Sequence, residues 1–329
     1  MKQYERARRV GLSAIALALM LRLFAMGVPK KIVEFLSQPN IAAFLFYLET
    51  GRDVRFSPSL GVFSPDFAES PPAAPQIPEE PPVPSFSGEE TVSLYYAANR
   101  NPDIPKLLAK PLEWSLRAED PTVLILHTHS TESYTKNGET YEETSAWRTL
   151  DEHYNMLSIG ETLAECLQEA GISVIQDRKM HDYPSYNGSY TDARKTIRQM
   201  LKEYPSISLV LDLHRDASGG EKGQLRTLAT VEGAPSAQLM VVVGTNHEDY
   251  EENLSLGLKL HVLLEQRYPG IMRPLQLRAQ RFNQDLNPGA LIMEVGAAGN
   301  THEEALRAVR KLAEGIIALA DGSTAAEIQ

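Results

Sequence analysis

The sequence predicts an α/β fold in which a mostly parallel or mixed sheet is flanked by helices on both faces. Three apolar runs that are typical of buried strands, PTVLIL, ISLVLDL and ALIMEV, begin at residues 121, 207 and 290. Helical segments alternate with them, and this alternation indicates a sheet covered by helices. Each run leads into histidines or carboxylates, and open sheets of this class bind ligands at the carboxyl ends of their strands.

Further elements complete a predicted domain at residues 89–320. Strands are expected at 91–96 and 172–175 and as a pair at 226–231 and 239–243, and helices at 153–170, 191–204, 249–267 and 301–320. Gly171 should end the first helix, because the position after a C-cap favours a residue that tolerates positive φ. Thr301 and Glu304 have the spacing of a capping box at the start of the last helix.

Composition excludes some classes of protein. The chain has 329 residues, 43% of them hydrophobic, and a net charge of −11. Nucleic-acid binding is disfavoured, because the phosphate backbone requires clustered lysine and arginine. The single cysteine, Cys166, cannot form an internal disulfide and is interpreted as a small core residue.

The N-terminal segment at residues 1–31 is predicted to be an uncleaved signal-anchor. Arginines at positions 6, 8 and 9 precede an apolar stretch from Val10 to Val28, which is about long enough to cross a bilayer. The upstream positive charge favours a cytoplasmic N-terminus, with the bulk of the chain outside the membrane. The alternative is a buried helical hairpin.

Two segments connect this anchor to the domain, and a short tail follows the domain. Residues 32–63 begin with an apolar but interrupted stretch that suits a membrane or partner surface. Residues 64–88 are proline-rich and predict an extended spacer, and residues 321–329 form the tail.

The run HTHSTES after the first strand contains candidate metal ligands. His129 and Glu132 are three residues apart on a turn, so both side chains can reach one ion, and nitrogen with oxygen donors suits Zn²⁺. His127 would share a face with His129 in an extended segment, so either could be the ligand. His129 is preferred because it lies further past the strand, and His127 would then either support a ligand through a hydrogen bond or pack beside the site.

The runs DLHRD and MEVG contain the other candidates. His214 ends a buried run, and Asp212 falls on the same face, where it could orient the imidazole. Arg215 would suit a substrate carboxylate, because a guanidinium binds two oxygens at once. Glu294 lies in a run that should be buried, so it is either paired or functional, and it could be a general base.

Several stretches together resemble the stage II sporulation protein P family of membrane-anchored cell-wall hydrolases. They are HTHSTESY, HDYPSYNGSYTDAR, LDLHRDA, FNQDLNPGALIMEVG and GNTHEEA. The resemblance implies a zinc N-acetylmuramoyl-L-alanine amidase fold, with D,D-endopeptidase activity as well. It also implies action on peptidoglycan during septal thinning and engulfment, together with stage II sporulation proteins D and M, at the septal or engulfing membrane.

The resemblance also implies roles for individual residues. His129, Glu132 and His214 would be the Zn²⁺ ligands, and Glu294 the catalytic glutamate. Because the ligand glutamate of the broader amidase fold usually lies further downstream, four glutamates are alternatives: Glu142, Glu143, Glu152 and Glu161. Arg215, Asn283 and Gln284 could hold the stem peptide.

Two other functions remain open at this point. The first is a surface zinc carboxypeptidase or deacylase, because the shape of the pocket, and not the metal site, decides the substrate. The second is an inactive peptidoglycan-binding scaffold. Glu294 argues against a scaffold, because a pure binder does not need a buried carboxylate beside a metal.

Overall fold

The computed structural model describes residues 86, 92–96, 98, 100–112, 114–217, 219–220 and 223–326. They belong to a unit that spans Glu79–Gln329. None of the described helices is long and apolar enough to span a bilayer. The predicted anchor, the juxtamembrane segment and all of the proline-rich linker except Phe86 lie outside the described residues.

A seven-stranded sheet forms the centre of the fold. Its strands lie in the order β1, β10, β9, β11, β4, β2, β3. Their bounds are β1 Leu94–Tyr96, β2 Val123–Leu126, β3 Val174–Gln176, β4 Leu209–Asp216, β9 Leu239–Gly244, β10 Leu275–Arg278 and β11 Ala290–Ala297. All neighbouring strands are parallel except β9 and β11, which are antiparallel, so the sheet is mixed.

Helices cover both faces of this sheet, as predicted. They are α1 Ile104–Ala109, α2 Met156–Glu169, α3 Ser189–Glu203, α4 Tyr250–Arg267 and α5 His302–Ala326, with a 3₁₀ turn at Gln284–Leu286. Val123 and Ile125 of β2 pack in one apolar cluster with α2, α4 and α5. Leu124 and Leu126 pack with α3 in another cluster, because successive side chains of a strand point to opposite faces.

The structure confirms the two predicted helix-end motifs. Gly171 follows the C-cap of α2 with φ of 78°. At the start of α5 the Thr301 amide donates to Glu304 Oε2 at 3.1 Å, and the Glu304 amide donates to Thr301 Oγ1 at 3.3 Å. This reciprocal pair is the predicted capping box.

The expected pairing of 226–231 with 239–243 is wrong. Strand β7, Leu228–Val231, pairs with β8, Ala234–Ala237, and β9 lies instead between β10 and β11. Glu232 and Gly233 both have positive φ, which makes a two-residue turn that closes the hairpin locally. The remaining two-stranded ribbon joins β5, Gly219–Gly220, to β6, Gly223–Gln224.

Candidate metal and catalytic site

The register of the sheet brings the polar residues of β4 and β11 together. His214 of β4 is the partner of Glu294 in β11, and Asp212 is the partner of Ile292. Partners on adjacent parallel strands share a face, so Asp212, His214 and Glu294 lie on the α3 side of the sheet. The same face carries apolar residues deeper in the sheet, which explains why polar residues appear only at the carboxyl end.

Glu132 approaches His214 from the loop after β2. Oε2 of Glu132 lies 3.6 Å from Nδ1 of His214, and Nε2 of the same ring lies 3.0 Å from Oδ1 of Asp212. Asp212 is held in turn by Thr128, whose amide and hydroxyl donate at 2.8 and 2.6 Å. His214 is therefore oriented by a carboxylate on either side, one of them fixed by the β2 loop.

His129 lies beside this pair. Its ring centroid is 5.2 Å from that of His214, in a T-shaped arrangement. Tyr186 stacks on the His129 ring with their centroids 4.5 Å apart, and Ser189 Oγ lies 3.4 Å from Nδ1 of His129. Burial lowers the pKa of His129 to about 4, which leaves the ring neutral at physiological pH. A neutral imidazole has the free electron pair that a metal ligand needs.

Two arginines contact the Glu132 carboxylate. Arg148 and Arg215 approach Oε1 at 3.2 and 3.3 Å, and the Arg215 amide donates to Oε2 at 3.2 Å. Burial would raise the pKa of Glu132, but Arg215 and His214 outweigh it and hold the pKa well below its ordinary value. Glu132 is therefore ionised, as metal coordination requires.

His214 has the opposite tendency. Burial would lower its pKa, but Asp212, Tyr190 and Glu132 raise it well above the ordinary value. Without a metal ion this ring is therefore an imidazolium between two carboxylates, which is also the structure of a purely structural ion-pair network.

Glu294 has a different environment from the other carboxylates. Among the described residues its Oε2 atom is buried without a hydrogen-bond partner. Burial raises the pKa of Glu294 to about 8, in spite of the nearby His214. Buried polar atoms are nearly always paired, so this orphaned carboxyl oxygen beside a histidine makes Glu294 a candidate for a functional group.

The donor set fits a zinc ion. Within the described part of the chain no group of three or more histidine, cysteine or acidic side chains is already arranged as a metal site. The separation of 3.6 Å between Glu132 Oε2 and His214 Nδ1 nevertheless resembles the ~3.4 Å between donors that tetrahedral zinc implies. With His129 adjacent, two nitrogens and one oxygen make a recognised zinc ligand set.

His127 occupies a different place. It is fully buried under α2, where Gln176 Nε2 lies 3.1 Å from its Nε2 and the Leu213 carbonyl 3.4 Å from its Nδ1. Gly160 packs against it so closely that a Cβ there would lie 2.5 Å from the ring. The geometry therefore favours His129 as the ligand and gives His127 a packing role.

The residues predicted to hold substrate are buried and have partners within the protein. Arg215 donates to Ser133 O and Trp147 O in addition to Glu132. Asn283 donates to the Tyr190 carbonyl, and Gln284 bridges the amide of Gly244 and the carbonyl of Val242. The alternative ligands Glu142, Glu143, Glu152 and Glu161 are all exposed, whereas Glu132 lies beside His214.

The sequence did not single out Arg148, Tyr186 or Asp182. Arg148 lies 4.9 Å from the Tyr186 ring centre and also pairs with Asp182 at 2.5 Å, and Asp182 accepts from Thr131. Tyr186 and Asp182 belong to the loop HDYPSYNGSY, whose aromatic content was the only signal. Which of its tyrosines faces His129 depends on tertiary packing.

The chain is similar to sporulation proteins and, in structure, to amidases. The family model described as stage II sporulation protein P matches residues 76–317. Stage II sporulation protein P of Bacillus subtilis (strain 168) is 29% identical over 205 residues, which cover 58% of this chain and 49% of that protein. The chain thus spans about half the length of this curated relative.

Two solved structures illustrate the structural likeness. The N-acetylmuramoyl-L-alanine amidase AmiC2 of Nostoc punctiforme has a TM-score of 0.36 at 13% identity, covering 63% of this chain and 98% of its own. The CwlD amidase from Clostridioides difficile, solved with the GerS lipoprotein, has a TM-score of 0.37 at 14% identity, covering 62% and 99%.

Proposed function

The chain belongs to the stage II sporulation protein P family, whose model matches well over half of it, and on that basis we propose that it hydrolyses peptidoglycan during sporulation. The proposed reaction is that of a zinc-dependent N-acetylmuramoyl-L-alanine amidase, which cleaves the amide between muramic acid and L-alanine. D,D-endopeptidase activity on peptide crosslinks is part of the proposal.

The observation that carries this proposal is the unpartnered Oε2 atom of Glu294, which is paired in register with His214. Its pKa of about 8 lies close to neutral pH, where a general acid–base group is most effective. In amide hydrolysis Glu294 would accept the proton of the attacking water and pass it to the leaving nitrogen. A scaffold protein would gain nothing from this costly arrangement.

The remaining residues of the site would hold the zinc ion or orient its ligands. His129, Glu132 and His214 would bind the zinc ion, which when bound supplies Lewis acidity toward a carbonyl and lowers the pKa of water at the site. Asp212 orients His214, and Thr128 orients Asp212. Arg148 and Arg215 keep Glu132 ionised and fixed.

Location and partners follow from the N-terminal sequence and the family resemblance. The proposed arrangement is an anchor at residues 1–31 with a cytoplasmic N-terminus and the catalytic domain facing the cell wall. Peptidoglycan is the proposed substrate, and stage II sporulation proteins D and M are the proposed partners.

The test is product analysis by mass spectrometry. The 329-residue chain is incubated with purified peptidoglycan, with a chelator, and with zinc restored. We expect stem peptides with a free L-alanine amino group, lost on chelation and restored by zinc. Split crosslinks would show the endopeptidase activity.

Glu294→Gln tests the catalytic role directly. Loss of a general acid–base group costs about 10²–10⁴-fold in rate, so we expect that loss with zinc content unchanged. Glu142→Gln, at an exposed position, is the control and should retain activity. Turnover that survives Glu294→Gln, or intact peptidoglycan with the unchanged chain and its partners, would contradict the proposal.

A further inference from the structure

A polar cavity is lined by the segments that follow Glu132 and Glu294 in the chain. It is an open cavity of about 380 Å³ between the loop after Glu132 and the start of α5, and Thr135, Lys136, Gly299 and Arg307 are among the residues that line it. Thr135 lies three residues beyond Glu132, and Gly299 five residues beyond Glu294. The Thr135 amide and hydroxyl donate to the carbonyls of Asn300 and Ala298, both at 2.9 Å. The cavity therefore begins where the two site-bearing segments join.

Three cationic side chains line this cavity: Lys136, Arg226 and Arg307. Each of these side chains is held by a hydrogen bond to another group of the protein. Lys136 donates to the Tyr141 carbonyl at 2.7 Å, Arg307 to the Pro235 carbonyl at 2.9 Å, and Arg226 to Glu304. Anchoring fixes the direction of a long side chain before any ligand binds, which lowers the entropic cost of binding.

The two carboxylates of the cavity, Glu303 and Glu304, offset two of these three positive charges, so the lining keeps a net positive charge of one side chain. Glu304 is only 3% exposed, and its Oε2 also accepts from Asn300 and from the Thr301 amide, so it lies behind Arg226. The Arg226 side chain remains 49% exposed. Glu303 is exposed and pairs with Arg307. The N-terminal end of α5, a helix of 25 residues, adds a partial positive charge.

The backbone is shaped to bring these groups together. A Cβ at Gly299 would lie 2.5 Å from the Leu225 carbonyl oxygen, so only glycine allows the segment before Arg226 to pack here. The Gly299 amide donates to that carbonyl at 2.9 Å. This close approach brings Arg226 to the cavity that Lys136 and Arg307 also line.

We propose that this cavity binds a free carboxylate of a peptidoglycan stem peptide, so that the peptide side of the scissile bond extends from Glu294 toward Lys136, Arg226 and Arg307. A glutamate residue joined through its side-chain carboxyl leaves its α-carboxylate free, and the carbon of that carboxylate is three bonds from the carbonyl carbon of the L-alanine. The choice of a peptidoglycan stem peptide as the ligand rests on the proposed function. The preference for an anion rests on the cavity alone.

The test compares two peptides that the amidase reaction does not consume. L-Ala-γ-D-Glu-L-Lys and its analogue with the glutamate α-carboxyl as carboxamide are titrated into the 329-residue chain by calorimetry. We expect the acid to bind about tenfold more tightly, because charge-assisted hydrogen bonds are the strong ones. Equal binding of the two peptides would overturn the proposal.

Variants locate the binding. Lys136→Gln and Arg307→Gln should each weaken binding of the acid about tenfold and leave the amide unaffected. Arg310→Gln, on the same helix but outside the cavity lining, is the control and should change neither. Arg226 is left intact because its loss would strand buried Glu304. An effect of Arg310→Gln equal to that of Lys136→Gln would contradict the assignment.

Two further measurements separate the possible failures. Inorganic phosphate that binds as tightly as the acid, with the same dependence on Lys136, would mean a general anion site and overturn the peptide assignment. Hydrolysis of peptidoglycan by the unchanged chain is measured in parallel. Hydrolysis without acid-selective binding rejects the cavity proposal alone, whereas acid-selective binding through Lys136 without hydrolysis rejects the proposed function alone.

Discussion

Two histidines only two residues apart have different surroundings in this protein. His127 is enclosed by Gly160, Gln176 and the Leu213 carbonyl, whereas His129 lies past the end of β2 against Tyr186 and His214. The strand ends at Leu126, so the chain turns between the two histidines and their side chains point to different parts of the molecule.

This difference predicts opposite effects for two alanine variants. His129→Ala should weaken zinc binding more than about 100-fold, because the loss of an outer-shell partner alone costs 10–100-fold. His127→Ala should retain zinc but lower the free energy of unfolding, because it leaves a cavity in the core. Metal content after dialysis and urea denaturation measure the two effects. Zinc loss in His127→Ala but not in His129→Ala would reverse the assignment.

Gly160 is the residue that makes room for His127. A Cβ there would lie 2.5 Å from both the His127 ring and Gln176 Nε2. Gly160→Ala should therefore lower the free energy of unfolding by about 1–3 kcal/mol, although alanine normally favours a helix. Glu165→Ala, exposed on the same helix, is the matched control and should stay within about 0.5 kcal/mol. An unchanged or higher stability for Gly160→Ala would mean that His127 can move aside.

At the scale of elements, the loop before α3 is held by a buried histidine. His181 has no exposed side-chain surface, and its two ring nitrogens lie 2.7 Å from Asp177 and 3.2 Å from Asp192. Lys179 also pairs with Asp192. Burial would lower the pKa of His181, but the hydrogen bonds to Asp177 and Asp192 raise it above its ordinary value. The protonated ring thus links the start of the loop to the first turn of α3.

This link predicts a pH-dependent stability. Because the pKa of His181 is raised in the folded state, its contribution is complete below about pH 6.5 and is lost as pH rises through the folded pKa. Denaturation series from pH 6 upward should show a steeper loss of stability for the unchanged chain than for His181→Asn. His153→Asn, at a position 90% exposed, should keep the steeper slope. Parallel slopes for the unchanged chain and His181→Asn would reject the link.

Apolar runs that end in polar residues were sufficient to predict part of the arrangement. The buried runs before His214 and Glu294 led us to expect both residues at the carboxyl edge of the sheet, with Asp212 on the face of His214. The structure has them there. Strand β10 and helix α1 were not predicted.

The rest depends on contacts between distant parts of the chain. The sequence of β9 predicts a buried strand but not whether it runs parallel or antiparallel to its neighbours. Its antiparallel pairing with β11 makes the sheet mixed. Likewise Asn283 and Gln284 were expected to hold the stem peptide, yet their side-chain amides bond to the backbone of Tyr190, Gly244 and Val242. A loop sequence shows that polar groups are present and does not show which partners they meet.

At the scale of the whole molecule, the candidate zinc ligands come from separate parts of the chain. His129 and Glu132 follow β2. His214 lies on β4, 82 residues further along the chain than Glu132. Between them the chain forms α2, β3 and α3. An ion held by all three residues binds the folded state alone, so zinc binding is linked to global unfolding.

This linkage predicts a metal-dependent melting temperature. At a free zinc concentration 100 times the dissociation constant, the folded state gains about 2.7 kcal/mol, which should raise the melting temperature by roughly 5–10 °C in a domain of this size. The chelator EDTA should reverse the shift, and Mg²⁺ should not reproduce it, because Mg²⁺ prefers six oxygen ligands. His214→Ala, measured by the same scanning calorimetry, should show little shift. If His214→Ala and His129→Ala both showed the same zinc-induced shift as the unchanged chain, the zinc ion would have to bind elsewhere. Glu294 would then have no metal ion beside it.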